Sequence, residues 1–449
     1  MITTGPHDLG PSLLPACDAD DAHEAARLFD GVRGADGPWR PTRPLLIRAE
    51  AYRDMVRLSR RAAELVLAAA RRRADTAGGL LAALGARPED HPLLDPDDRV
   101  DERMLTAVRP DILMECGVAR FVELNVDGAL GGVLQADLIS RRFLDRYRRD
   151  GLAARLGLSA APSAVDARAE ALRTWFGLTP DAGTPVLMPA FSVGNLPGLD
   201  DPARFAEWLE PVFRHARSHG MRLFTCPLSE LTAAPDGTLR CAGRTVDAVF
   251  RTFVSGGRPP GPGLTALRRA LDAGTVRMFT PESTMLLTNK TTLSWLWDDR
   301  DLLTAADRRL VETHVPRTVR LGPGEHEALE PALRDRADWV LKPADGFGGS
   351  GVVVGAATQD APWRTALERA AGLGGHVLQR YVEADRTPLR FVRATDGWIV
   401  EAEVPYVIGP FLYGLRGSGV LVRHGAPGGP GVLNATRGAT MNTALLAGG

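Results

Sequence analysis

The stretch WVLKPADGFGGSGVVVG, residues 339–355, decides the fold. It runs from an apolar segment through a lysine into a glycine-rich loop, then out into a β-branched segment. The lysine is the unusual residue. The 449-residue chain holds 54 lysines and arginines, yet Lys290 and Lys342 are its only lysines. Where most surface lysines have drifted to arginine, a surviving lysine marks a place that takes a compact ammonium and rejects a planar guanidinium.

Two familiar phosphate loops fail on context. A Walker A loop places its lysine after the glycines and opens a helix. Here the lysine comes first and Gly351-Val-Val-Val354 follows. A dinucleotide fingerprint also needs a helix after its glycines. What remains is a strand, a glycine turn and a strand. In that hairpin Gly346, Gly348, Gly349 and Gly351, with Ser350 among them, free the backbone to fold N–H groups over a phosphate chain. A plain glycine-rich turn is the other reading, and Lys342 weighs toward phosphate. Lys290, in LLTNKTTLSWLW, is either a solvated helix residue or a second ammonium aimed at the same polyphosphate.

Working outward, VRPDILMECGVARFVELNVDGALGG (108–132) carries the second signal. Arg109 and Asp111 are two apart, as are Glu123 and Asn125, so on extended chain each pair shares one face. A turn near Gly117 lets the two pieces pair as antiparallel strands. That gathers an arginine, two carboxylates and an amide oxygen on one sheet face. Hard oxygen donors beside a nucleotide are what magnesium takes. An ordinary ion-paired strand pair is the bland alternative, and the apolar flanks make unpaired carboxylates there costly.

The order of these elements resembles the ATP-grasp ligases of the glutathionylspermidine synthetase type, whose grasp motifs are circularly permuted. That family has an R-x-D element and then E-x-N at the step seen from Asp111 to Glu123. TNKTTLSWLW, KPADGFGGSG, LQRYVE, IGPFL and GSGVLVR follow in the family's order, over roughly residues 100–440. The resemblance implies that Asp111, Glu123 and Asn125 are magnesium ligands, for two ions. It implies that Arg109 binds the transferring phosphoryl group and that Lys290 and Lys342 bind ATP phosphates. It places Gln379 on the strand lining the adenine pocket, and Arg437 as a C-terminal phosphate-contacting arginine. It implies an ATP-dependent carboxylate–amine ligase that forms an amide through an acyl phosphate, with ADP and phosphate released. The carboxylate is expected to be an amino acid or small peptide, in specialised metabolism. Two departures matter. Gly349-Ser350 stands where the family has Arg-Glu, and the family's C-terminal SRF-like segment is not preserved. Both regions approach the acceptor, so glutathione and spermidine do not carry over. No spare N-terminal amidase domain with a catalytic cysteine is visible. A carrier-protein thiol as acceptor, a nucleotide-binding protein without catalysis, and a structural scaffold are the rival readings.

The expected fold class is α/β (α+β), divided into four parts. Residues 1–100 form a mainly helical segment, 101–150 the metal-binding element of the grasp core, 151–280 a pre-ATP-grasp α/β subdomain, and 281–449 the nucleotide-binding region. Alternation in 151–280, with a strand at 184–191, a helix at 201–220 and a strand from 221, predicts a parallel sheet with helical crossovers. The net charge of −1 gives no global case for nucleic acid or an anionic membrane. The arginine run at 57–73 reads as a solvated helix face. Arg386, Arg390 and Arg393 either hold a substrate carboxylate or are surface charge. No apolar stretch reaches the about 18 residues of a membrane span, and no secretory signal is visible. Four scattered cysteines predict free thiols in a reducing compartment, so a cytoplasmic protein is expected. Small-molecule carboxylate and amine substrates are the expected partners.

Overall fold

Alternating apolar residues in the last quarter of the chain build the largest sheet. The computed structural model describes residues 18–35, 37–190, 201–256, 261–346, 348–429 and 438–448. Nine strands form this sheet, and its spine is Ile399–Tyr413. The first half of that strand pairs antiparallel with Arg386–Arg393. Its second half pairs with Ala107–Glu115 along the same edge and with Arg416–His424 on the other. The sheet therefore forks, and the Val118–Val126 strand hangs outside Ala107–Glu115. The first hundred residues hold three helices but also supply two strands, Trp39–Pro41 and Leu45–Arg48, to this sheet.

A second, four-stranded antiparallel sheet runs Thr318–Leu321, His376–Arg380, Trp339–Pro343, Val353–Val354. Its two faces differ because strand side chains alternate. Trp339, Leu341 and Leu378 face the helix Asp360–Leu373, where Trp363 and Leu367 are fully buried. Each such apolar side chain contributes about 1.5–3 kcal/mol. Val340, Lys342 and Gln379 point the other way, toward the large sheet. The strand after the glycine loop is shorter than VVVGAAT suggests. It ends at Val354, and Gly355 turns away so close to the Arg336 carbonyl that an added Cβ would sit 2.0 Å from it.

The 151–280 region holds the expected parallel sheet, ordered Arg277–Phe279, Ala248–Phe250, Thr184–Leu187, Met221–Phe224. The helix expected over 201–220 is two helices, Pro202–Trp208 and Glu210–Ser218. Pro202 and Pro211 each sit in a first turn, where a missing N–H costs nothing. A small antiparallel sheet (Thr232–Ala233, Leu239–Cys241, Arg244–Thr245) flanks it.

Two expectations are corrected. Cys226 and Cys241 are disulfide-bonded, both buried, and 15 residues apart. Their spacing matched no motif, and the hairpin between them brings them together. Cys116 is free and exposed, and Cys17 lies outside the described residues. The thiols thus give no argument for a reducing compartment. Nor is the arginine run at 57–73 simply solvated. Arg61 pairs with Asp307 at 2.7 Å, and Arg72 and Arg73 close on Asp299 at 2.6 and 2.7 Å. These pairs tie the long helix Ala49–Arg71 to the segment that follows Lys290.

Candidate functional site

The carboxylate hairpin forms as its spacing predicts. Cys116 and Gly117 take positive φ at the turn, and Arg109 stands opposite Asn125, Asp111 opposite Glu123. The register then slips, because Ile112 pairs with Phe121. Val122 is the extra residue of this bulge, and bulges re-aim backbone groups. Its carbonyl accepts from Lys342 Nζ at 3.2 Å.

Lys342 reaches that carbonyl from the facing sheet. Gln379 stands diagonally across from it and accepts from Nζ through Oε1 at 2.6 Å. Gln379 Nε2 donates to Thr318 Oγ1 at 3.0 Å, which fixes the amide's orientation. Gln379 is therefore buried and positions the lysine. Burial pushes the Lys342 ammonium down to about 8, against the pull of Glu123 and with the push of Lys290. Lys290, 4% exposed, is no solvated helix residue. It caps the helix Thr291–Asp298, its backbone N–H donates to Ala344 O, and its Nζ lies 2.7 Å from Gly346 O and 3.0 Å from Glu123. The two lysines thus converge from different segments.

These groups line one cavity of about 220 Å³ between the nine-stranded sheet and the four-stranded antiparallel sheet. Asp111, Glu123, Lys290, Lys342, Gly346, Gly349, Ser350 and Gln379 are all in its wall. Gly348, Gly349 and Gly351 hold positive φ in the loop above it. Gly351 is packed on Pro343, 2.6 Å from where a Cβ would stand. Arg380 to Ala384 form the strap at the back, and Arg386 reaches the rim. Arg390 and Arg393 do not reach it, and pair with Glu401 and Asp396. Arg109 and Asn125 lie two register pairs beyond the Asp111–Glu123 pair and outside the wall, with the Asn125 amide nitrogen on Arg109 O at 3.1 Å. Arg437 lies outside the described residues.

Arg109 and Asp111 back the cavity as part of a cluster the sequence reading did not assemble. Arg423 Nη2 sits 2.6 Å from Asp111 Oδ2, and Arg109 Nε sits 3.5 Å from Oδ1. Burial pushes the Asp111 carboxyl up, but Arg423 and Arg109 outweigh it and hold it below the usual carboxylate range. Arg423 is the last residue of GSGVLVR, a stretch already singled out, while the C-terminal arginine role went to Arg437. His91, buried 3.4 Å from Asp345 at the root of the glycine loop, was also missed.

Does this wall fit magnesium? Asp111 Oδ1 is buried with no hydrogen-bond partner. Glu123 faces it across the register, and Asn125 keeps its amide oxygen. Among the described residues no cluster of three or more His, Cys, Asp or Glu could hold a metal. Two carboxylates are nevertheless enough for magnesium, which keeps waters and takes its other ligands from substrate phosphates. The donor set fits.

No protein-family model matches the sequence, and no curated protein matches it. The structure is similar to that of a glutathione synthetase-like effector from Globodera pallida in its apo form. That likeness has a TM-score of 0.61 at 13% identity, and covers 98% of this chain and 99% of that one. The chain has the fold of a glutathione synthetase-like protein. Weaker matches are a protein assigned as a gamma-glutamylcysteine synthetase from Methylobacillus flagellatus and D-alanyl-alanine synthetase A from Vibrio cholerae. The first has TM-score 0.45 and 12% identity, over 75% of this chain and 80% of that one. The second has TM-score 0.32 and 13% identity, over 58% and 89%. No helix among the described residues is long and apolar enough to cross a membrane.

Proposed function

We propose that the chain is an ATP-dependent carboxylate–amine ligase of the permuted ATP-grasp type. One observation carries this reading. The chain's two lysines, a glycine loop and an opposed Asp–Glu pair meet in one cavity between the nine-stranded sheet and the four-stranded antiparallel sheet. The glutathione synthetase-like fold supports it. In this reading 101–150 and 281–449 together hold the nucleotide, and 151–280 is the pre-ATP-grasp subdomain.

Phosphoryl transfer needs alignment and charge neutralisation more than covalent help. Lys290 and Lys342 supply two compact charges for the phosphate chain. The loop Gly346–Gly351 presents backbone N–H groups and excludes water from the reacting carboxylate. Asp111, Glu123 and Asn125 would hold magnesium, which offsets phosphate charge when bound. Arg109 offers a preorganised donor where the γ-phosphoryl group leaves ADP. The substrate carboxylate oxygen attacks phosphorus, ADP departs, and an acyl phosphate forms. The amine then attacks the carbonyl carbon, the C–N bond forms, the C–O bond to phosphate breaks, and the amine loses its proton. The substrates are small molecules, with an amino acid or small peptide as carboxylate.

The test is ADP release from the full chain with ATP and magnesium against pools of amino acids, with hydroxylamine as trap. Pool-dependent ADP with a hydroxamate is the expected result, and chelation of magnesium abolishes both. No nucleotide binding at all overturns the reading.

A further inference from the structure

A second cavity, of about 350 Å³, lies on the far side of the carboxylate hairpin. One wall is the loop Ala129–Gly132 and the first turn of the helix Val133–Arg149. The opposite wall comes from the carboxyl ends of two parallel strands, at Met188 and Thr252 to Val254. The helix Pro202–Trp208 closes a third side. The crevice beyond the carboxyl ends of parallel strands is a common ligand position. The lining is mainly apolar, with Leu130, Leu134, Met188, Phe205, Trp208 and Phe253 prominent.

Four polar side chains break that lining: Arg33, which stands 5.7 Å over the Trp208 ring, Gln135, which donates to Arg33 O at 2.9 Å, Thr252 and Arg168. Thr252 Oγ1 is buried without a hydrogen-bond partner. Arg168, from the helix Ala164–Phe176, is 6% exposed and stands 5.3 Å over the Phe250 ring. Among the described residues, no carboxylate lies within ion-pair distance of it. Asp137, the nearby acid, is committed elsewhere. It accepts from Ala164 N at 2.8 Å, from Val165 N at 3.3 Å and from Ser163 Oγ, and pairs with Arg141 at 3.2 Å. Burial lowers the Arg168 guanidinium's affinity for its proton, which Tyr413 and Asp137 only partly offset. A buried guanidinium without a counter-ion is costly, and a ligand carboxylate would remove that cost. The cavity also touches the reaction site. Arg109 Nη1 donates to Gly131 O in its wall at 2.8 Å, while Arg109 Nε faces Asp111 in the nucleotide cavity.

We infer that this cavity binds an apolar α-amino acid as the acyl acceptor. Its side chain lies among Leu130, Leu134 and Met188, its carboxylate meets Arg168, and its amine points past Gly131 toward Arg109. The acceptor role rests on the ligase reading. The binding site itself does not.

The test is calorimetry on the full chain with L-phenylalanine, L-leucine, L-glutamate and the decarboxylated amines phenethylamine and 3-methylbutylamine. Phenylalanine or leucine is expected to bind about tenfold or more tightly than its own amine, the value of a charge-assisted contact. It is also expected to bind more tightly than glutamate. Arg168→Gln removes the difference between amino acid and amine, and Leu134→Trp blocks both ligands. The comparison on the unaltered chain stands even if a variant fails to fold. Equal binding of amino acid and amine, preference for glutamate, or no binding in the presence of ADP and magnesium overturns the inference. ADP is titrated separately. Amino-acid binding without ADP binding sinks the ligase reading and leaves the site. Recovery of the apolar amino acid as its own hydroxamate overturns the acceptor role, and its recovery through nitrogen in an amide supports it.

Discussion

The cavity at the carboxylate hairpin and the cavity at the carboxyl ends of the parallel strands are built by opposite rules. In the cavity at the carboxylate hairpin each buried charge has a polar partner: Lys342 has the Gln379 and Val122 oxygens, Lys290 has Glu123, and Asp111 has two guanidiniums. The second cavity is mainly apolar, and Arg168 in its wall makes no ion pair among the described residues. The difference teaches what each awaits. A network of partnered charges is preorganised, and in the proposed ligase a polyphosphate and its cation would enter by exchanging partners. A lone buried cation in an apolar wall is incomplete until an anion arrives.

The largest effect that could break this contrast lies at Arg423. Its pairing with Asp111 is buried on both sides. Arg423→Leu strands a buried carboxylate against Arg109 alone, and should cost about 3–5 kcal/mol of stability. The denaturation midpoint of the unliganded chain checks this, and an unchanged midpoint would show that the network is not a network. Next is Lys342→Ala, expected to cost about two or more orders of magnitude in ATP turnover, as loss of one preorganised charge does. Lys342→Arg should not restore turnover, because the slot between Val122 O and Gln379 Oε1 suits an ammonium. Full rescue in steady-state assays would remove the reason for the surviving lysine.

A smaller effect is read in protons. Lys342 titrates at about 8 in the folded chain, below its ordinary 10.5, with burial the chief cause. The unfolded chain therefore binds more protons between about 8 and 10.5, so the unliganded fold gains stability as pH rises through that window. Nucleotide binding needs the charged form, so affinity is full below about 8 and falls above it. At pH 8 binding should take up about half a proton. Calorimetry in buffers of different ionisation enthalpy measures that uptake, and Lys342→Met should abolish it. Uptake that persists in the variant would move the titration elsewhere.

The gathering of Lys290, Lys342, Asp111 and Glu123 in one cavity was largely legible in the sequence, and the lining of the second cavity was not. Lys290 and Lys342 stood out because lysine is rare here, and Asp111 and Glu123 because their two-residue steps fit one sheet face. Local rules sufficed for each. Arg423 and Arg168 were hidden by the same composition, since one arginine among so many carries no signal. The second cavity joins Leu134, Arg168, Phe205 and Phe253, whose spacings follow no period. They meet only where the carboxyl ends of the parallel strands face the loop and first helical turn at 129–134. The bulge at Val122 leaves a faint trace, since Phe121 and Val122 are adjacent apolar residues that interrupt the alternation of VELNV, but the slip itself appears only in the pairing. The Cys226–Cys241 pair was silent too, because a spacing of 15 residues matches no cysteine motif and the contact appears only in the fold.

The smallest prediction supplies the control. Arg390 also pairs with a carboxylate, Glu401 across the strand register, and by distance alone the pair resembles the one at Asp111. Its setting differs, since the Glu401 side chain is 68% exposed where that of Asp111 is 10%. Water screens the first pair and competes for both partners, so Arg390→Ala should shift stability by about 0.5 kcal/mol or less. It should leave ATP turnover unchanged, because Arg390 is not in the cavity wall. Chemical denaturation of Arg390→Ala beside Arg423→Leu makes the comparison direct. Equal losses would mean that burial does not separate the two pairs, and the argument for Arg168 as an arginine awaiting a carboxylate would fall with it.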